Sequence, residues 1–379
     1  MRHIRIRDHK VPRDRRIRAS RVLTVIVSLL ALLQLGGPDL VAHADTDSQS
    51  LESAHQAITK FVNHKLRTAQ GIKTNVNAGV NAGGGTANGN ELLSESAGLY
   101  LQHLVLTNQK ASFIKFYQQT KQTFYSHGQF SYRYNPKTQQ RAGVNATLDD
   151  LRIIGALQQF DHIFKTTRYQ KEIKTLWHHQ QKQALKKGHV TDFYDPKTKK
   201  RPQTGTLSYF DLATLRALEG NTKIYRQQVR IVQRGFISKA MPFYARRYNY
   251  HTHKYTAGNI NTTEGLVTLL HVAQIGRLKP ASERWLLKQT KAKTLVNQYD
   301  QHGKALTEDQ SAANYALVMM IGNASGQKGL QQAAQQQLLA MQVTNTASPL
   351  AGGFGDETTN TAYSFNNLTA LVAMDGVTH

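Results

Sequence analysis

The chain has 379 residues and no cysteine, so disulfides and thiolate chemistry are excluded and stability must come from a packed core. It carries 48 Lys+Arg against 24 Asp+Glu, a net charge of +24, which favours anionic surroundings such as acidic glycans, cell-wall polymers or membrane surfaces. The basic residues are spread along the chain without a nucleic-acid-binding motif, so a nucleic-acid partner is not expected.

Residues 1–21 hold nine Lys/Arg, Val22–Leu35 is an apolar run, and Ala42-His43-Ala44 supplies small residues at both ends of a cleavage site. This order predicts a secretory signal peptide over residues 1–44 and a secreted or cell-surface protein. The apolar run is short of the roughly 20 residues that a spanning helix requires. Cleavage removes nine of the 48 basic and three of the 24 acidic residues, leaving a net charge of +18.

Beyond the signal the apolar spacing is helical nearly throughout. It predicts twelve helices, over 51–67, 91–107, 110–126, 147–161, 166–186, 209–219, 221–240, 262–276, 281–298, 309–323, 327–342 and 365–374. Alternating short and longer connections suggest six hairpins, which can close into an all-α double ring, the (α/α)6 barrel. No Pro/Ser linker divides 45–379, so a single catalytic-type domain and a monomer are expected. The loops Lys73–Asn90, Gly128–Pro136, Asp192–Pro196 and Tyr244–Asn261 are rich in polar and aromatic residues and are expected to wall one mouth of the ring.

Acids are scarce, and three acidic points share one setting. Glu95, the pair Asp149-Asp150, and Glu264 each open an apolar helix after a Thr-, Ser- or Asn-rich turn. Carboxylates from several helix starts facing one cleft are what glycoside hydrolysis needs. Each acid also has an ordinary structural explanation. A helix N-terminal glutamate interacts favourably with the macrodipole, and Thr147-Leu148-Asp149-Asp150 reads as a capping box with Asp in place of Glu.

Leu93-Ser94-Glu95-Ser96-Ala97-Gly98 resembles the Ser-Glu-Gly segment of glycoside hydrolase family 8. Phe130-Ser131-Tyr132-Arg133 resembles its Trp-Arg segment, Asn145–Ile153 its Ala-Thr-Asp-x-Asp-x-x-Ile signature, and Leu207-Ser208-Tyr209-Phe210 its Pro-Ser-Tyr-Tyr segment. The motifs run in the family's order over most of the chain, with the closest likeness to its secreted exopolysaccharide-degrading branch. The resemblance implies an (α/α)6 barrel, an inverting mechanism, a polysaccharide substrate and no cofactor or metal. It puts Glu95 at the general acid, whose pKa must then be raised by apolar neighbours or another acid.

Other positions depart from the family. The first signature Asp falls on Leu148, Asp150 matches the second, and Asp149 stands ready for the displaced role. Glu264 falls where the family brings its Asp base, one methylene longer, and the family's Asp-Ala-x-Arg neighbourhood is not reproduced. Gly265 is expected to permit close approach of a sugar. Asp211 is the alternative base. Tyr209 matches a tyrosine near the reactive sugar, Tyr132 is a candidate stacking platform, and Arg133 a candidate partner for Glu95 or for an acidic substituent.

His251-Thr252-His253 offers two imidazoles without a nearby third ligand, a weak metal signal. No G-x-S-x-G elbow, phosphate loop or dinucleotide fingerprint is present. The leading expectation is an exported endo-acting glycosidase. A non-catalytic glycan- or wall-binding protein on the same scaffold and a polysaccharide lyase are the competing expectations.

Overall fold

In the computed structural model the described residues are 51–79 and 87–378, so the expected signal peptide over 1–44 lies outside them. Twelve helices run through the described residues. The first, α1, covers 51–61 and continues into a π turn, Val62–Leu66. The others are α2 (Ser94–Leu106), α3 (Lys110–Phe124), α4 (Thr147–Ile163), α5 (Gln170–Lys182), α6 (Leu212–Glu219), α7 (Lys223–Arg234), α8 (Thr262–Gln274), α9 (Pro280–Lys291), α10 (Ala312–Ser325), α11 (Lys328–Ala340) and α12 (Ser364–Thr378). No helix among them is long and apolar enough to cross a membrane.

Burial sorts the helices into two layers. The even-numbered ones other than the short α6 are apolar on most faces; in α10, Tyr315, Leu317, Val318, Met319 and Ile321 are all buried. A helix apolar all round belongs in the interior, where each large side chain contributes about 1.5–3 kcal/mol. The odd-numbered ones are amphipathic. In α7, Tyr225, Gln228, Ile231 and Val232 face inward while Lys223, Arg226, Arg230 and Arg234 are exposed. Within the inner layer, α2 packs on α4, α4 on α6, α6 on α8, α8 on α10, α10 on α12, and α12 back on α2. This is the (α/α)6 double ring that the periodicity predicts.

Backbone hydrogen bonds stitch the N-terminal ends of the inner helices together in rotation. The N–H of Ser94 donates to the Tyr132 carbonyl (3.1 Å), Thr147 to Asp192 (2.9 Å), Leu207 to Arg246 (2.9 Å), Thr262 to Asn297 (3.1 Å) and Ser364 to Thr74 (2.9 Å). Each acceptor lies on the segment leading into the next inner helix, so first-turn donors that would otherwise be orphaned build the mouth.

Short antiparallel strands reinforce that end. They are β1 (Leu92–Leu93), β2 (Tyr125–Ser126), β3 (Gln129–Phe130), β4 (Arg133–Asn135), β5 (Gln140–Arg141), β6 (Thr204–Thr206), β7 (Arg247–Asn249), β8 (Tyr255–Thr256), β9 (Ile260–Asn261) and β10 (Gln298–Tyr299). The order is β1-β4-β5 in one sheet and β6-β7-β8 in another, with β2-β3 and β9-β10 as pairs. β1 and β9 run directly into α2 and α8 and fix the registers of Glu95 and Glu264. The expected helix over 209–219 is broken: Leu207–Tyr209 is a 3₁₀ turn, and α6 starts only after Asp211, whose side chain caps it at Thr214.

Candidate active site

Glu95 is the second residue of α2, and no side chain at its own N-cap closes that helix. The cap comes from the neighbouring helix. Asp149, on α4, accepts the Ser94 hydroxyl at 2.7 Å, the Glu95 backbone N–H, and Arg152 Nη1 at 3.2 Å. A carboxylate is thereby held at the positive end of α2. Thr147 forms no capping box; its buried hydroxyl has no hydrogen-bond partner among the described residues.

The Glu95 carboxyl is half-buried, and its pKa is pushed up to about 7. Burial is the largest cause, the charge of Asp149 adds to it, and Arg152 opposes it. Burial also raises Asp149, but Arg152, Ser94 and the Glu95 N–H all favour its charged form. Between the two, the proton belongs on Glu95. Gly98 gives Arg152 its path: a Cβ there would lie 3.1–3.3 Å from the Arg152 methylenes.

The structure separates Asp149 from Asp150. Asp150 turns away from Glu95 and accepts the Phe130 N–H (2.9 Å), the Asn145 amide (2.5 Å) and the Gln180 amide (2.7 Å). It is a buried strut joining β3, the segment before α4, and α5. Burial pushes its pKa to about 7 against those donors.

Tyr209 joins the Glu95 group. Its hydroxyl is held well above the ordinary tyrosine range by burial and by the charges of Asp149, Asp192 and Glu95. Asp192 accepts the Thr206 N–H at 2.7 Å and the Thr206 hydroxyl at 2.9 Å. Asp211 is buried as the α6 cap, next to His271 of α8. Burial lowers the His271 pKa, and its Nδ1 has no hydrogen-bond partner among the described residues.

Glu264 opens α8, its N–H capped by Asn261 at 2.9 Å. Its carboxylate receives Arg246 Nε at 3.1 and 3.3 Å. The pair borders a cleft of about 400 Å³ that also touches Arg247, Asn259, Asn261 and Gln298. The expectation for Gly265 is corrected. A Cβ there would meet the Phe243 ring at 2.4 Å, so the glycine makes room for a core aromatic and leaves no space for a sugar.

The Arg133 guanidinium stacks over the Tyr132 ring, 5.3 Å from its centre, and reaches Glu91 at 3.5 Å. Of the paired imidazoles, His253 bonds the Tyr248 hydroxyl at 2.8 Å, while His251 borders a different cleft. His55, His103 and Asp375 are close enough to share a metal ion. The Asp375 carboxylate, in the last turn of α12, accepts from His55 Nε2 of α1 at 2.6 Å and His103 Nδ1 of the last turn of α2 at 2.9 Å, at the end of the ring away from Glu95.

Glu95, Asp149 and Tyr209 are thus brought into one electrostatic group. Arg152, Asp192 and His271 complete their surroundings and Arg246 holds Glu264, none of them having been singled out from sequence. Arg152 alone carried a signal, standing three residues after Asp149 on the same helix face.

No protein-family model matches the chain. Among curated proteins it is 23% identical over 287 residues to "Putative lipoprotein YdaJ" of Bacillus subtilis (strain 168), covering 74% of this chain and 78% of that one. Among solved structures, a novel alpha-amylase from Clostridium perfringens superposes with a TM-score of 0.79 at 29% identity, covering 86% of this chain and 97% of that one. Endoglucanase Cel10, a family 8 glycosyl hydrolase from Klebsiella pneumoniae, superposes with a TM-score of 0.58 at 15% identity over 85% and 99%.

The chain has the glycoside hydrolase family 8 fold.

PssZ from Listeria monocytogenes is a further neighbour, with a TM-score of 0.66 and 19% identity over 84% and 94%. On this family 8 fold the candidate residues sit at the mouth formed by the N-termini of the inner helices.

Proposed function

We propose that this chain is an exported, endo-acting glycoside hydrolase that cuts an exopolysaccharide or cell-surface glycan with inversion. The observation that carries the reading is the charge pattern at the start of α2. Burial and the neighbouring charge of Asp149 push the Glu95 pKa up to about 7, while Arg152, Ser94 and the Glu95 N–H favour the charged form of Asp149 against the burial that raises it. A protonated acid ready at neutral pH is the first requirement of glycoside cleavage.

In this mechanism Glu95 protonates the glycosidic oxygen. Asp149 holds the reactive sugar or its water and keeps Glu95 protonated. Tyr209 positions the same sugar, with Tyr132 as an aromatic platform and Arg133 beside it. Glu264 is the base, activating a water on the opposite face of the ring, and Arg246 Nε holds its carboxylate in place at 3.1 Å. α2 and α8 stand three places apart in the ring of six, which suits attack from the face opposite the acid. Asp211 is the alternative base, and Asp150 supports the site from behind. Export rests on the signal-like residues 1–44, and the lipoprotein name of YdaJ supports a surface setting.

Proton NMR of the first-formed product tests the mechanism. Inversion at the anomeric carbon is expected, and retention would remove the acid–base pair. The second reading, a non-catalytic glycan-binding protein, is favoured by Leu148, a buried leucine where the family signature has its first Asp. Polysaccharide binding without any product from the wild-type protein would establish it.

A further inference from the structure

A second cleft, of about 590 Å³, opens beside the mouth and is lined by His189, Lys199, Lys200, Arg201, Tyr250 and His251, among others. Its size is that of a ligand site, roughly 300–1,000 Å³. No acidic residue lines it. Lys199, Lys200 and Arg201 form no ion pair among the described residues. The nearest acid in sequence, Asp195, is spent inside its own turn on the N–H groups of Lys197 and Thr198 and the Thr198 hydroxyl. One wall is an aromatic stack: His189 lies flat on Tyr250, ring centres 4.2 Å apart and planes 5° from parallel. The Tyr250 hydroxyl is tied to the Val190 carbonyl at 2.7 Å, which fixes the ring in place.

The cleft is continuous in chain with the mouth. Thr191 lines it, and the next residue, Asp192, holds the first turn of α4 through its carbonyl. From Arg201 the chain runs through β6 to Tyr209, a reach of at most ~26–29 Å for eight residues. Burial lowers the His189 pKa, and the charges of Arg201, Lys187 and His253 add to that.

From this arrangement we infer that the cleft is a remote subsite for acidic units of a polysaccharide, carboxylated or phosphorylated, whose strand continues to the mouth. The inference rests on the glycosidase reading and narrows its substrate class. Three unpaired cations supply charge-assisted hydrogen bonds to anionic substituents, and the fixed aromatic wall offers a face to a sugar ring. A flat basic patch would hold any polyanion; a concave site with an aromatic wall selects for a glycan.

The test measures binding with the Glu95→Gln protein, so that turnover plays no part. The probes are polygalacturonate, a phosphorylated mannan, neutral starch and poly(U) RNA. Polygalacturonate or the mannan is expected to bind about ten-fold or more tighter than starch and poly(U), and to weaken as salt is raised; whichever binds better identifies the anion. Combined Lys199→Ser, Lys200→Ser and Arg201→Ser should abolish that preference. Combined Lys288→Ser, Lys291→Ser and Lys293→Ser, with the same change in net charge on another exposed face, should keep it. Equal loss in both triple variants, equal binding of RNA and acidic glycan, or wild-type binding in the cleft variant would overturn the inference. Each triple variant in the Glu95 background of the wild type is also assayed for hydrolysis. Retention of the binding preference in the cleft variant with hydrolysis intact defeats the subsite alone, whereas absence of hydrolysis in every protein, the wild type included, defeats the glycosidase reading alone.

Discussion

Asp149 of α4 closes the N-terminus of α2 by accepting the backbone N–H of Glu95, and its charge raises the pKa of that same residue. One carboxylate both caps the helix that carries Glu95 and adds its charge to the burial that raises the Glu95 pKa. Converting Glu95 to Gln should therefore leave the fold intact and lower hydrolysis by roughly 100- to 10,000-fold, the usual worth of a general acid. Aryl glycosides with good leaving groups, which need little protonation, should recover part of that loss. Steady-state kinetics on both substrate types checks this.

The pH profile carries a second signature. Glu95 is raised from 4.5 to about 7, so the fold favours its protonated form. That stabilisation is complete below about pH 4.5 and is lost as pH rises through 7. Activity should fall on the alkaline side with a midpoint near pH 7. Glu95→Gln, permanently neutral, should match the wild type in stability at pH 4 and exceed it by on the order of 1–3 kcal/mol at pH 8. Urea unfolding at the two pH values measures the difference.

Asp149 and Asp150 should part company in mutants. Asp150→Ala leaves the Phe130 N–H and the Asn145 and Gln180 amides without their common acceptor, at a cost of about 2–5 kcal/mol. Its urea midpoint should drop. Asp149→Asn should stay closer to wild type in stability and lose most of its activity.

Gly265→Ala should be destabilising although the position starts a helix, where alanine is ordinarily the better residue. The new methyl group would drive into the buried Phe243 ring, and overpacking of this kind costs about 1–3 kcal/mol. Thermal unfolding checks it, and Gly265→Ala combined with Phe243→Leu should recover part of the loss.

The ring was legible because its physics is periodic. Inner helices such as Ala312–Ser325 read as unbroken apolar segments and outer ones such as Lys223–Arg234 as one-sided stripes. Ends were less legible: the expected helix over 221–240 stops at Arg234, where the chain turns into the Phe236–Tyr244 bridge. Asp149 and Asp150 were inseparable because neighbouring helical residues differ only in the direction they face, and the partners that choose between them come from α2, β3 and α5. Gly265 misled because the ring that fills its space comes from Phe243, in a different segment. Asp192 and Arg246 act from loops, where no periodicity marks which side chain turns toward the mouth.

The most direct measurement is product analysis on a panel of exopolysaccharides, including partly de-acetylated amino-sugar polymers, with wild-type and Glu95→Gln proteins side by side. Saturated oligosaccharides should appear with the wild type on at least one polymer and be all but absent with Glu95→Gln. Unsaturated products absorbing in the ultraviolet, or equal release by the two proteins, would contradict a hydrolase that uses Glu95 as its acid.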